Sequence, residues 1–202
     1  NGVPVGLTIK DGRLVTSESM SSPSVGFYND GTAIIGRSNL NVRIEGPYLS
    51  SPIGSIPLNK AVTVASGVML YTRDYGDDYT NKATIPTYNI LLTVDSEELR
   101  LNGTVEARVD SVANATGPTF IPEGKLLLTM ASTTNYPGTL ANLAGLVPGD
   151  TITITSTADP AWNDVAYAVG GGEKLITAGA NVAPSNAEIH PRTAIGIRAD
   201  GS

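Results

Sequence analysis

Cysteine is absent from the 202 residues of this sequence, which excludes disulfide bonds, zinc–thiolate sites and thiol nucleophiles within the chain. Histidine is almost absent as well, because His190 is the only one. Long hydrophobic runs are missing too. No stretch approaches the roughly eighteen apolar residues of a membrane-spanning helix, so we expect no membrane insertion. The polar side chains available to a site are therefore hydroxyls, amides, carboxylates and cations, with one imidazole.

Charge is also sparse and of the wrong sign for a polyanionic partner. Charged residues make up 16% of the chain, and 19 acidic residues against 13 basic ones give a formal net charge of -6. An acidic protein gains no counterion release on nucleic acid, so we expect no nucleic-acid partner. The 41% of hydrophobic residues, with 22 glycines and 13 prolines, is typical of one turn-rich globular β domain.

Short alternating segments and tight turns predict an α+β fold made mostly of antiparallel strands. Asp11-Gly12 and Asn29-Asp30-Gly31 each stand between apolar runs, which indicates two hairpins in the first 36 residues. One short helix is predicted over residues 139–146. Further strands are predicted over residues 40–45, 62–71 with an interruption at Ser66-Gly67, 89–94, 103–112, 125–130 and 151–156.

An acidic segment, residues 73–79, carries Asp74, Asp77 and Asp78 and raises the question of a calcium site. Oxygen-rich loops suit a hard cation, but the spacing of an EF-hand loop and its terminal glutamate are missing. We therefore interpret the segment as a solvated loop tip and predict no metal site.

The last fifth of the sequence is the stretch that looks most like a site. It contains the triple glycine Gly170-Gly171-Gly172, then His190, and Arg192 at the start of a predicted buried strand over residues 193–197. Glycine amides can approach an anion closely, and the guanidinium fork suits phosphate or carboxylate. These residues together suggest an anion pocket.

Each signal also has a plainer interpretation. The glycines could form a flexible hairpin rather than a phosphate-binding nest, and neither a Walker A motif nor a dinucleotide fingerprint is present. Arg192 could make a surface ion pair, and His190 could fix a loop rather than transfer protons. Glu173, Asp164 and Glu188 are candidate catalytic carboxylates, but no spacing selects a pair among them.

Several motifs in order resemble the phosphodiester glycosidase family, which includes enzymes acting on N-acetylglucosamine-linked phosphodiesters and many secreted bacterial members. The segments that carry the resemblance are Gly2-Val3-Pro4-Val5-Gly6-Leu7 with Lys10-Asp11-Gly12, Val25-Gly26-Phe27 with Asp30-Gly31, Val68-Met69-Leu70-Tyr71-Thr72, Val169-Gly170-Gly171-Gly172 with Leu175, and His190-Pro191-Arg192-Thr193-Ala194-Ile195-Gly196. The last of these is the most specific.

The resemblance implies hydrolysis of a sugar-1-phosphodiester to the free sugar and a phosphomonoester. It assigns catalysis to Arg192, His190 and Thr193: Arg192 and Thr193 stabilise the phosphate charge, and His190 either transfers protons or positions Arg192. Gly170, Gly171, Gly172 and Glu173 would bind substrate. The implied partner is a carbohydrate or glycosyl phosphate, and no cofactor is identified.

Two glycine-rich segments typical of the family, one expected before residue 1 and one after residue 202, are not in the sequence. We therefore expect residues 1–202 to be a phosphodiester-glycosidase-like domain truncated at both termini, from a secreted or cell-surface bacterial protein with a cell-wall or exopolysaccharide substrate. The alternative is a non-catalytic carbohydrate-binding or cell-surface structural module that keeps the scaffold without the chemistry. A third possibility is a structural β domain with an empty pocket.

Overall fold

Two antiparallel sheets form most of the part of the chain that the structure, a computed structural model, describes: residues 6–17, 22–95, 98–172, 174–183 and 194–198. The strands are β1 Thr8–Lys10, β2 Arg13–Thr16, β3 Ser24–Tyr28, β4 Ala33–Gly36, β5 Asn41–Glu45, β6 Met69–Tyr71, β7 Thr87–Val94, β8 Thr104–Ala115, β9 Lys125–Ala131, β10 Thr151–Thr157, β11 Val165–Gly170, β12 Ile176–Thr177 and β13 Ala180–Asn181. The helix α1 spans Pro137–Leu143, and single 3-10 turns span Arg73–Tyr75 and Pro160–Trp162.

The first sheet has five strands in the order β2-β1-β11-β3-β4, and the second has six in the order β5-β10-β8-β7-β9-β6. β12 and β13 pair only with each other. All of the pairings between these strands are antiparallel, so the predicted antiparallel β fold is confirmed. With one α-helix among the described residues, the fold is more strongly β than the expected α+β class.

The main core lies between the two sheets, because alternate residues of each strand point to the same side. Ile9 and Leu14 from the first sheet belong to one buried cluster with Ile44, Ile90 and Ile154 from the second. This burial explains the exposed-buried alternation along β5 and β10 that the sequence pattern predicts.

A smaller second core covers the opposite face of the six-stranded sheet near β6, β7 and β9. Tyr71, Tyr75 and Leu127 belong to it, whereas Leu126 and Leu128 belong to the main core. β9 is therefore buried on both faces, which is why its sequence is mostly apolar instead of alternating.

Two sequence predictions needed correction in this region. Only Met69–Tyr71 of the predicted strand 62–71 is a strand, because Thr63 and Ser66 close a turn: the Ser66 amide donates to the Thr63 carbonyl at 3.0 Å, and the Thr63 amide donates to the Ser66 hydroxyl at 3.1 Å. The helix is real but lies earlier than predicted, since Pro137 occupies its first turn and it ends at Leu143.

Candidate functional site

The triple glycine begins at the end of β11, the central strand of the five-stranded sheet. β11 pairs with β1 on one side and with β3 on the other, and Gly170 stands opposite Ser24. Its flanking sequence alternates, with Ala168 facing the core and Tyr167 and Val169 facing outward. The first glycine is therefore part of a sheet. The sequence had suggested either a phosphate-binding nest or a flexible hairpin, and neither describes this position.

Gly170 is fixed by an unusually close approach of two backbones. A Cβ at Gly170 would lie 2.7 Å from the carbonyl carbon of Gly6 and 2.9 Å from the amide nitrogen of Leu7, and closer still to the Gly6 α-carbon. A Cβ at Gly6 would clash with Gly170 in the same way. The two glycines allow the chain before β1 to cross directly over the end of β11.

The other two glycines differ from the first and from each other. The Gly171 amide already donates to the Pro23 carbonyl at 2.9 Å, and a Cβ there would lie 3.3 Å from that oxygen. Gly172 is exposed, and a Cβ at this position would have no neighbouring atom within 4 Å. None of these three described glycines has the positive φ that an alternating anion nest uses.

Hydroxyl side chains gather at this end of the sheet, where β2 and β11 end and β3 begins. The Thr16 hydroxyl donates to the Gly6 carbonyl at 2.6 Å, which holds the crossing chain in place. The Ser24 side chain is buried, and its hydroxyl has no hydrogen-bond partner among the described residues. Sequence reasoning missed both Gly6 and Ser24 as site-forming residues, although each lies in or beside a segment that carries the family resemblance.

A buried asparagine ties this sheet end to the second sheet. Asn59, fully buried with a φ of 52°, donates to the Val15 carbonyl at 2.7 Å and to the Thr72 hydroxyl at 2.8 Å. Its side-chain oxygen accepts the Thr72 amide at 2.9 Å. Asp74 adds a further link to β2, because it forms an ion pair with Arg13. The end of β2, beside the triple glycine, is thus held rigidly.

The acidic segment is solvated, as predicted, because its three aspartates are exposed, but it is also anchored to the rest of the protein. Asp74 is paired with Arg13, Asp78 accepts hydrogen bonds from the amide and hydroxyl of Thr80, and Tyr75 is buried in the second core. Within the described ranges no group of three or more histidine and acidic side chains is placed to hold a metal ion.

The predicted catalytic residues Arg192, His190 and Thr193, together with Glu173, lie outside the described residues. The strand predicted over residues 193–197 is not confirmed where it can be checked. Residues 194–198 are in no strand, and Ile195 is 48% exposed. The apolar pattern there is short enough that periodicity alone does not distinguish a buried strand from an exposed segment.

The outer face of the sheet carries Tyr167, whose hydroxyl donates to the Asp11 carboxylate across β1. That hydrogen bond, with the negative charge of Asp11, raises the pKa of the Tyr167 phenol above its ordinary value. Tyr167 is therefore neutral near pH 7.

A family model described as phosphodiester glycosidase matches residues 95–202, slightly more than half of the chain. The match includes the triple glycine and the segment from His190 to Gly196. No curated protein matches the chain.

Two solved structures share the fold. A hypothetical protein from Synechocystis aligns with 92% of this chain at a TM-score of 0.67 and 17% identity, and a protein of Burkholderia pseudomallei K96243, described by the words "putative exported protein", aligns with 88% at 0.57 and 18%. The chain spans 32% and 38% of their respective lengths, about a third of each. In the part of this chain that the structure describes, no helix is long and apolar enough to cross a membrane.

Proposed function

The chain belongs to the phosphodiester glycosidase family, and from that premise we propose that its parent protein hydrolyses a sugar-1-phosphodiester. Water would replace the phosphate at the sugar carbon, releasing the free sugar, while the phosphate leaves as a monoester that takes up the proton. The observation that carries the proposal is the family match over residues 95–202, which contains every residue assigned to the site from the sequence.

The phosphate group is the part of the substrate that these residues suit. We propose that the Arg192 guanidinium stabilises its negative charge, since charge-assisted bidentate hydrogen bonds are the strongest available here. Thr193 would add a hydroxyl donor. His190 would transfer the proton, as an imidazole can near neutral pH, or hold Arg192 in place.

The described residues support a role for the triple glycine in forming the wall of this site. Gly170 is locked against Gly6, and Gly171 against Pro23. Gly172 is the member with open space around it, since a Cβ there would have no neighbouring atom within 4 Å, and this space would let a substrate approach the backbone. We propose that Gly172 contacts the substrate, with Glu173 beside it, and that Gly170 and Gly171 serve to hold the backbone in position.

Export to the cell surface or beyond is part of the proposal. One solved structure with this fold carries the description of an exported protein, and a carbohydrate-linked phosphodiester of a cell wall or exopolysaccharide would be met outside the cell.

The test uses the full-length protein and an alkyl diester of N-acetylglucosamine 1-phosphate, with released sugar measured over time. Arg192→Ala is expected to lower kcat/KM by about 10²–10³-fold, the usual effect of losing one electrostatic stabiliser of a transition state. Arg198→Ala is the matched control, because it removes an exposed arginine six positions further on and should leave the rate unchanged.

Equal rates for Arg192→Ala and Arg198→Ala would refute the role of Arg192. Absence of turnover by the unaltered full-length protein on sugar phosphodiesters would favour the alternative, a non-catalytic carbohydrate-binding or surface module with the same scaffold.

A further inference from the structure

A second feature, on elements other than those that carry the triple glycine, is an open groove of about 330 Å³ beside the helix. One wall is the loop that follows β5, and the other is α1. The lining residues are Ser50, Ser51, Pro52, Ile53, Gly54, Gly138, Thr139 and Asn142. None of them belongs to the end of the five-stranded sheet where the triple glycine lies.

The two walls are joined by one side chain. Asn142 accepts hydrogen bonds from the Ser50 amide at 2.7 Å and from the Ser50 hydroxyl at 2.9 Å, and its own amide donates to the Ser51 carbonyl at 2.8 Å. All three bonds cross between the loop and the helix. The groove therefore has a defined width before any ligand arrives.

Each wall is also anchored to the rest of the protein. Leu49 of the loop and Leu143 of the helix are buried in the main core. Ile53 exchanges two backbone hydrogen bonds with Ile44 of β5, at 2.8 and 2.9 Å. A ligand would bind to a surface that is already ordered, which lowers the entropic cost of binding.

The chemistry of the lining is neutral and rich in hydrogen-bonding groups. It contains hydroxyls, one amide side chain and glycine backbone, and no charged residue. A phosphate or a metal ion would find no counter-charge there, and an apolar cofactor would find only Pro52 and Ile53. The volume lies within the roughly 300–1,000 Å³ typical of small-molecule sites.

Two exposed tyrosines lie close in sequence to the lining residues, one before each wall. Tyr48 is 54% exposed and stands two residues before Ser50, and Tyr136 is 49% exposed and stands two residues before Gly138. Tyrosine offers a flat apolar ring with a polar end, a combination suited to surfaces that are partly wet. Pyranose rings present the complementary pattern, with C–H groups on a face and hydroxyls around the edge.

We propose that this groove is a carbohydrate-binding site for a neutral oligosaccharide, separate from the phosphodiester site. Hydroxyls of the ligand would bond to the serine and threonine side chains of the lining, while Tyr48 and Tyr136 pack against sugar rings that extend from either end. Such a site would hold the protein on a glycan chain independently of any reaction at the triple glycine.

The test is an NMR titration of the isotopically labelled full chain. The probes are the neutral tetrasaccharides of N-acetylglucosamine and of glucose, with tetragalacturonate as an anionic comparison. We expect amide shifts in residues 48–54 and 136–142 with the neutral probes, and about tenfold weaker binding at these residues for Tyr48→Ala and for Tyr136→Ala. Phe120→Ala is the control, because it removes an exposed aromatic ring outside the groove and should leave the affinity unchanged.

Three results would overturn the proposal: no shifts with either neutral probe at millimolar concentration, shifts only outside residues 48–54 and 136–142, or equal binding of the anionic probe. Since both tyrosines are exposed, neither variant should unfold the chain. Turnover of a small sugar-1-phosphodiester should be the same in both variants as in the unaltered protein. Loss of oligosaccharide binding at the groove can therefore be distinguished from loss of hydrolysis at the phosphodiester site.

Discussion

Replacing Gly170 with alanine is the perturbation whose outcome the structure determines most sharply. The new methyl group would stand 2.7 Å from the Gly6 carbonyl carbon and 2.9 Å from the Leu7 nitrogen. Carbon–carbon contacts are optimal near 3.5–4.0 Å, so the crossing chain must move by about 1 Å. All of the obstructing atoms are backbone, which has no alternative rotamer.

Overpacking of this kind costs typically about 1–3 kcal/mol, and a backbone obstruction places Gly170→Ala at the upper end, at about 3 kcal/mol. The free energy of unfolding is measured by equilibrium urea denaturation. Gly6→Ala should cost a similar amount, because a Cβ there would meet the same backbone from the other side. The double substitution should cost less than the sum, since one displacement relieves both clashes.

Gly172→Ala is the matched control within the same glycine run. A Cβ at Gly172 has nothing within 4 Å, and its φ is not positive, so unfolding free energy should change by no more than about 0.5 kcal/mol. Equal stability of Gly170→Ala and Gly172→Ala would contradict the predicted clash at Gly170. If Gly172 contacts the substrate, Gly172→Ala should still lower kcat/KM on a sugar-1-phosphodiester while remaining folded.

Two further predictions concern buried polar side chains, one that holds the end of β2 and one in the second core. Asn59→Ala should lower the free energy of unfolding, measured by urea denaturation, by about 2–4 kcal/mol. It removes three buried hydrogen bonds and leaves the Val15 carbonyl and the Thr72 amide without this partner. Asn163→Ala on the surface is the control and should cost little. Burial raises the pKa of Tyr71 well above 10, so its stabilising contribution is complete below about pH 10 and is lost as the pH rises beyond that. The free energy of unfolding should therefore fall from about pH 10 to pH 11. The fall should be less steep in Tyr71→Phe than in Tyr48→Phe. Equal dependence of the unfolding free energy on pH in the two variants would contradict this.

Local chemistry explains why much of the fold was predictable from the sequence. The first hairpin needs two consecutive residues with positive φ, and Asp11 and Gly12 have φ values of 53° and 74°. β10 alternates because one face meets the core, and its predicted bounds differ from the observed ones by one residue. In both cases the determining interactions lie within a few residues.

The parts that were missed depend on residues that are far apart in the chain. Gly170 must be glycine because the backbone at Gly6 crosses it, and no residue near either glycine in the sequence predicts that contact. The side-chain bonds of Asn59 to Val15 and Thr72 are equally invisible to periodicity. The predicted strand 62–71 fails for the opposite reason, because a local serine–threonine turn outcompetes an apolar pattern.

The candidate site likewise has a part that the sequence predicted and a part that only the structure shows. The motif order predicted the family, and the family match confirms it. The structure then separates the glycine run into two members held by backbone neighbours and one member with no neighbouring atom, which composition and spacing do not distinguish. The roles of Arg192, His190, Thr193 and Glu173 stay predictions.

The most direct test of the proposed reaction follows the oxygen of the attacking water. The full-length protein is incubated with a sugar-1-phosphodiester in water labelled with heavy oxygen, and both products are analysed by mass spectrometry. Cleavage at the sugar carbon predicts that the label appears in the released sugar and that the phosphomonoester stays unlabelled. Label in the phosphate would show attack at phosphorus, and the assignment of glycosidase chemistry to this chain would then be wrong.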